Sequence, residues 1–230
     1  MSTKTRTPKE PKTPKVGRPK KEPASPVRII KPRTKNQQEY LDAIFENTVI
    51  LCTGPAGSGK TLLAASAAVR DLYDGRIEKI VLTKPIVEAG ENLGFLPGDV
   101  AEKVDPHLRP LYDCLEKCLP KPLVKELLAK GAIEICPFAF MRGRTFENAT
   151  IVADECQNAS YSQLKLLLTR IGENSKLILT ADMDQIDIIE TSGMIDIPRK
   201  IVNVEGVACM QLKYEDVQRS KIVADLVRCL

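Results

Sequence analysis

Three short runs carry residue types that could do phosphate chemistry. The first is GPAGSGKT, Gly54 to Thr61. Gly54, Gly57 and Gly59 let backbone N–H groups turn inward on an anion, with Pro55, Ala56 and Ser58 completing the loop. Lys60 would reach the β- and γ-phosphates of a nucleotide, and the Thr61 hydroxyl would ligate Mg2+. The second run is TIVADECQNAS, in which Ile151, Val152 and Ala153 lead directly into Asp154 and Glu155. Adjacent carboxylates repel each other, and a divalent cation with a reacting water offsets that repulsion. Asp154 is expected to hold the metal, and Glu155 to orient and deprotonate the attacking water. The bland reading of the pair is a solvated strand end. A lone Asp would suit a nucleotide kinase or a GTPase, whereas the added Glu favours hydrolysis of ATP. The third run, NSKLILTADMDQID, ends in Ala181-Asp182 with Gln185 just beyond. The Gln185 amide can sense a γ-phosphate; the alternative is an ordinary turn residue.

These runs need elements to position them. TVILC before the Gly-rich loop reads as a buried strand, and the Ala/Leu-rich LLAASAAVRDLY after it as a helix. Strand, loop and helix together make GxxxxGK[ST] a phosphate loop. NATIVADE is a second buried strand, whose C-terminal end should lie beside that of the first in an open parallel sheet. KIVLT and Lys176–Thr180 are further strands, and Tyr40, Leu41, Ile44 and Phe45 in QQEYLDAIF are at helical spacing. The fold class is therefore α/β, a P-loop NTPase core with a mainly parallel sheet of about five main strands flanked by helices.

Composition narrows the class further. A chain of 230 residues suits one globular domain with an appendage. No apolar run approaches the roughly 18 residues of a membrane span, so no membrane partner is expected. The seven cysteines are scattered without a CxxC pair and His107 is the single histidine, which leaves a zinc site little to work with. Cys114 and Cys118 read as two half-buried thiols on a helix. Free thiols point to a reducing, cytoplasmic location. Residues 1–35 hold twelve Lys or Arg against Glu10 and Glu22, a charge of +10, so the rest of the chain sums to −6 against the total of +4. Residues 1–33 are Pro-rich, poor in core-forming side chains and expected to be a disordered tail before a domain at 34–230. Within the tail, PKVGRPKKEP resembles an AT-hook. Gly17 permits close approach, Arg18 suits the narrow negative minor groove of AT-rich DNA, and Pro19 keeps the strand extended. Generic electrostatic binding to nucleic acid, a nuclear-import signal and no function at all are the competing readings.

Longer blocks carry a family resemblance. GPAGSGKT, LTKPIVEAGENLGFLPGDVAEKVDPHLRPLYD, MRGRT, VADECQN, LLLTRIG and TADMDQID occur in the order found in PhoH-like proteins, P-loop ATPases related to superfamily 1 helicases. The resemblance covers about residues 34–228. It implies a RecA-like core that hydrolyses ATP, with Gln185 in the motif that couples ATP to nucleic acid. TKNQQEY looks like the upstream Gln motif, which would make Gln37 a reader of the adenine edge. EDVQRSKIV resembles the family's DVVRHPLV, and Arg219 would then stabilise transition-state charge, although Gln218 and SKI depart from that pattern. Cys156 replaces the alanine of DEAQN, a small-for-small change. Thr83 and Lys84 match a region that contacts single strands in related helicases. Arg142 and Arg144 would touch nucleic acid or span a subunit boundary. The resemblance also implies a homo-oligomer, a hexameric ring with the site at or near a subunit interface, and a tailed single-lobe version would suit a phage-encoded copy.

The resulting expectation is Mg2+-dependent ATP hydrolysis coupled to binding or unwinding of RNA or DNA. The rival is a nucleic-acid-binding protein that uses ATP as an assembly or conformational switch without motor activity. For the tail, deletion of residues 1–33 should weaken DNA binding and flatten its salt dependence. Unchanged affinity for AT-rich duplex would remove the minor-groove reading.

Overall fold

The runs VILC, IVL, TIVA and LILT are short and apolar without polar alternation, which suits a sheet covered on both faces. The computed structural model describes residues 26–85, 100–186 and 192–218, with the backbone alone over 100–107. Its elements run α1 (Lys35–Glu46), β1 (Val49–Thr53), α2 (Lys60–Tyr73), β2 (Lys79–Lys84), α3 (Val100–Cys118), α4 (Lys121–Ala129), β3 (Ile133–Pro137), β4 (Ala149–Ala153), α5 (Tyr161–Leu168), β5 (Lys176–Ala181), α6 (Gly193–Ile201) and β6 (Val207–Gln211). Six strands form one sheet in the order β3-β2-β4-β5-β1-β6, all parallel. This is a P-loop NTPase fold.

Side-chain alternation divides the core in two. Ile50, Cys52, Ile80, Leu82, Val152 and Ile178 face the cluster formed with α1 to α4. Val49, Leu51, Val81, Ile151, Leu177 and Leu179 face the opposite cluster, with α5 and α6. Each fully buried branched side chain contributes roughly 1.5–3 kcal/mol, so central strands apolar on both faces anchor the fold. Two helix starts follow local sequence rules. Thr34 caps α1 by accepting the Gln37 N–H, and Ser160 and Gln163 form a capping box at α5.

Two expectations about the sheet change. β4 is not the neighbour of β1, because β5 lies between them and pairs with both, Leu177 standing opposite Val49 and Ile151. The sheet has six strands, and the two that the sequence reading did not name, β3 and β6, lie at its edges, β6 being half-exposed. Residues 27–33, read from sequence as tail, lie against the core. Arg28 N–H donates to the Cys118 carbonyl at 2.8 Å, Ile30 N–H donates to Ser66 Oγ at 3.2 Å, and Val27 and Ile30 pack on the helical cluster. Gly17, Arg18, Pro19 and Arg219 lie outside the described residues.

Two residues read from sequence as candidates for nucleic-acid or subunit contact, Thr83 and Arg144, have partners or surroundings within this fold. Thr83 is fully buried, and its hydroxyl has no partner among the described residues. Arg144 grips Glu134 of β3 with both terminal nitrogens, at 2.5 and 2.7 Å, and its guanidinium lies 4.6 Å over the Phe146 ring. Lys79 adds a third contact to Glu134 at 2.6 Å. The Arg144 hydrogen bonds hold the Glu134 carboxyl down at about 2, against the opposing effect of its partial burial. A depressed carboxyl contributes stability above its unfolded value near 4.5 and loses it as pH falls toward 2. Solvent screens this partly exposed pair, so Arg144→Ala is expected to cost up to about 1 kcal/mol at neutral pH, measured by urea unfolding. Glu134→Gln should remove the part of the wild-type acid sensitivity that falls between those two pH values.

Candidate active site

The C-terminal ends of β1, β4 and β5 converge on one cavity of about 590 Å³. The phosphate loop forms its floor. Gly54 has a φ of +148°, and a Cβ there would stand 2.5 Å from the Leu212 carbonyl oxygen, so only glycine lets the loop lie against the chain leaving β6. Gly59 takes a φ of +91° immediately before α2, and Gly59, Lys60 and Thr61 bring that helix's N-terminus to the cavity wall. Lys60 is buried and its ammonium donates to the Gly54 and Pro55 carbonyls at 2.5 and 3.0 Å. Burial pushes the Lys60 pKa below its ordinary value, while Asp182, Asp154 and Glu155 pull it back up. Ala56 and Gly57 line the cavity, and Ser58 is buried beneath it with its hydroxyl donating to the Pro55 carbonyl at 2.8 Å.

The loop and the acidic strand end meet directly. The Thr61 hydroxyl donates to Asp154 Oδ1 at 2.5 Å, and the Thr180 hydroxyl of β5 donates to the same oxygen at 2.6 Å. Asp154 is fixed along its backbone too, its N–H donating to the Thr83 carbonyl at 2.8 Å. β5 between β1 and β4 is what makes this possible, since Thr180 reaches Asp154 from the intervening strand. Glu155 adopts a φ of +57°, a left-handed conformation that a glutamate holds only when its surroundings impose it. Gln157 Nε2 donates to Glu155 Oε2 at 2.5 Å, and Gln157 Oε1 accepts the Asp182 N–H at 3.1 Å. Ser192 Oγ donates to the Gln157 carbonyl at 2.6 Å, so this glutamine ties Glu155 to β5 and to the start of α6. Gln185 is exposed and lines the same cavity. Cys156 is wholly buried, its thiol donates to the Ala153 carbonyl at 3.3 Å, and burial drives its pKa well up, which leaves it as packing.

The opposite end of the cavity is built from α3, the segment leading into α1 and the chain after β6. Ile30, Lys31, Arg33, Gln37, Cys114, Lys117 and Gln218 line it. Gln37 is buried and its amide is bonded to three backbone groups, Arg33 N, Ser58 O and Asp216 O, at 2.7, 2.9 and 3.3 Å. Lys84 is half-buried at the end of β2, and Arg142 is exposed after the turn Phe138–Met141, away from the cavity lining.

Hard oxygen donors suit a magnesium ion. Thr61 Oγ1 and Asp154 Oδ1 are the fitting pair, and among the described residues no cluster of three His, Cys, Asp or Glu competes with them. A cation that keeps several waters and takes one or two protein oxygens plus phosphate needs no larger cage. Sequence reasoning missed Thr180, Asp216 and the α3 residues Cys114 and Lys117. Thr180 had a signal, a lone hydroxyl ending an apolar strand; the others had none.

Comparison with known proteins is consistent with this geometry. The model of the PhoH-like protein family matches residues 29–230. A PhoH-like protein of Bacillus subtilis (strain 168) is 46% identical over 200 residues, covering 86% of this chain and 63% of that protein. One from Synechocystis is 45% identical over 201 residues, covering 86% and 61%. The chain thus spans about three fifths of the length of these curated relatives. Among solved structures, the large terminase of a thermophilic bacteriophage aligns with a TM-score of 0.49 at 12% identity, over 86% of this chain and 50% of that one. A match that begins at the strap over α2 and α3 and runs through every cavity-forming strand leaves one assignment: the chain belongs to the PhoH-like protein family.

Proposed function

We propose that the chain binds ATP with Mg2+ and hydrolyses it, and that hydrolysis is coupled to binding of RNA or DNA. The observation that carries the reading is the Thr61–Asp154 contact with Glu155 held beside it. Phosphates would lie on the N–H groups of Gly57 to Thr61, with Lys60 turning from the loop carbonyls to the β- and γ-oxygens. Thr61 and Asp154 would hold Mg2+, which when bound supplies charge neutralisation at the phosphates. Glu155 Oε2 is occupied by Gln157, which leaves Oε1 to take the proton of the attacking water. Gln185 is positioned to register the γ-phosphate, and Arg219 is assigned the stabilisation of transition-state charge. Gln37 is assigned the adenine edge, through the lone pair of Oε1 that Arg33 leaves free.

Lys84 and Arg142 near the C-terminal edge of the sheet are the cations left for backbone phosphates once Arg144 is committed to Glu134. The basic stretch before residue 26 would add a salt-sensitive contribution. An open cavity at one edge of a single sheet suits completion by a neighbouring copy in a hexameric ring.

Glu155→Gln is expected to lower ATP turnover by about 10²–10⁴-fold while leaving ATP binding in place. Intact turnover in that variant would contradict the assignment of the base. Chelation by EDTA should abolish turnover and added Mg2+ restore it. Single-stranded RNA or DNA should raise the wild-type rate; no response across both would favour the switch reading instead.

A further inference from the structure

The cavity wall carries opposite charge at its two ends. Its three carboxylates, Asp154, Glu155 and Asp182, stand at the phosphate end with Lys60 and Thr61. The far end holds three cations, Lys31, Arg33 and Lys117, and no acid among the described residues. Residues 27–33 are pinned to α3 by the Arg28 N–H on the Cys118 carbonyl at 2.8 Å, and to α2 by the Ile30 N–H on Ser66 Oγ at 3.2 Å. Lys31 and Arg33 therefore leave a fixed segment. Lys117 comes from the last turn of α3, next to the buried Cys118.

Neighbouring acids do not neutralise these cations. Glu116 is paired with Lys121 at 3.0 Å, and Asp113 lies outside the wall. Asp216 is wholly buried; its Oδ1 accepts the Thr34 hydroxyl, and its Oδ2 accepts the Lys213 N–H at 2.7 Å and Asn36 Nδ2 at 3.0 Å. Lys31 and Lys117 form no ion pair among the described residues, and the Arg33 guanidinium has one partner there, Gln218 Oε1 at 3.2 Å. Ordinary ATP leaves this charge unused. With its phosphates on Gly57 to Thr61, the uncharged ribose and base would fill the far end. Arg33 alone could stack on a base through its planar guanidinium. The two ammonium groups then have no anion to meet, and three like charges around one space repel until an anion comes between them.

We infer that the far end of this cavity binds a second phosphate group, carried on the ribose of the nucleotide, through Lys31, Arg33 and Lys117. The inference rests on the proposed nucleotide site and names a ligand class for it: a nucleoside di- or triphosphate with a further phosphate on its 2′ or 3′ oxygen. Such a ligand meets the phosphate loop with one anionic end and the three cations with the other. A guanidinium fork and two ammonium groups suit the several oxygens of one phosphate. The same chemistry is offered by a free nucleotide and by the 5′-terminal nucleotide of a strand, whose 3′ oxygen carries a phosphodiester.

Titration calorimetry with Mg2+ and ADP, which is not turned over, tests it against three other probes: ADP with a 2′-phosphate, ADP with a 3′-phosphate, and ADP joined through a 3′-phosphodiester to adenosine. At least one of the two monoesters should bind wild type about tenfold more tightly than ADP. Tighter binding of the 3′-monoester alone marks a free nucleotide as the ligand, and equal gains for that monoester and the diester mark a strand end. A gain for the diester alone would come from its second nucleoside and overturns the inference. Lys31→Ala combined with Lys117→Ala, both at exposed positions, should bring the monoester and ADP affinities together. Lys35→Ala, at an exposed lysine outside the wall, should leave their ratio unchanged. A ratio that survives the first change, or falls equally with the second, reports general charge attraction and overturns the inference. Wild type that binds ADP and all three probes equally overturns it and leaves the site standing, whereas wild type that binds none overturns the proposed function itself.

Discussion

The Thr61 hydroxyl and the Asp154 carboxylate stand 2.5 Å apart, and much of the fold serves to bring them there. One belongs to the first turn of α2 and the other to the end of β4, 93 residues later. Neither could be held by local structure. The parallel sheet does it by burying β1, β4 and β5 on both faces, so that the strands cannot slide in register without exposing apolar side chains. Thr180 then gives Asp154 a second donor from the strand in between. A carboxylate held by two hydroxyls at the head of a helix, with the phosphate loop beneath it, is arranged for a charged ligand more than for stability.

The same logic extends outward. Glu155 is held in a left-handed conformation, and Gln157 spans from its carboxylate to the backbone of Asp182. A change at either β5 or the start of α6 would therefore be felt at Glu155 through one side chain. At the far end of the cavity three backbone groups, the Asp216 carbonyl among them, do a comparable job for Gln37. Both glutamines act as spacers between chemistry and distant chain segments, each with an amide whose orientation its partners dictate.

The phosphate loop, the two carboxylates and their strands were legible in the sequence, because an apolar run that stops abruptly at Gly or Asp marks a buried strand ending at a polar site. The sheet order was not. Nothing in NATIVADE says that β5 rather than β1 is its neighbour on that side; that depends on the chain's crossovers. The two edge strands, β3 and β6, were not legible as strands: Glu134 interrupts one short run, and the other is half-exposed. The ion pair of Arg144 was not legible, because charge shows in a sequence and its partner does not; that partner is Glu134 on the edge strand. Asp216 was invisible for a different reason: its side-chain partners Thr34 and Asn36 lie 182 and 180 residues away.

The central claim is that Thr61 and Asp154 hold one cation together with a bound nucleotide. A double-mutant cycle of Thr61→Val and Asp154→Asn, read as the Mg2+-dependent part of ATP affinity, tests it most directly. Strong non-additivity is expected, with the double variant losing little more than either single one. Additive losses would mean that the two residues act on separate things, and would contradict the site as described.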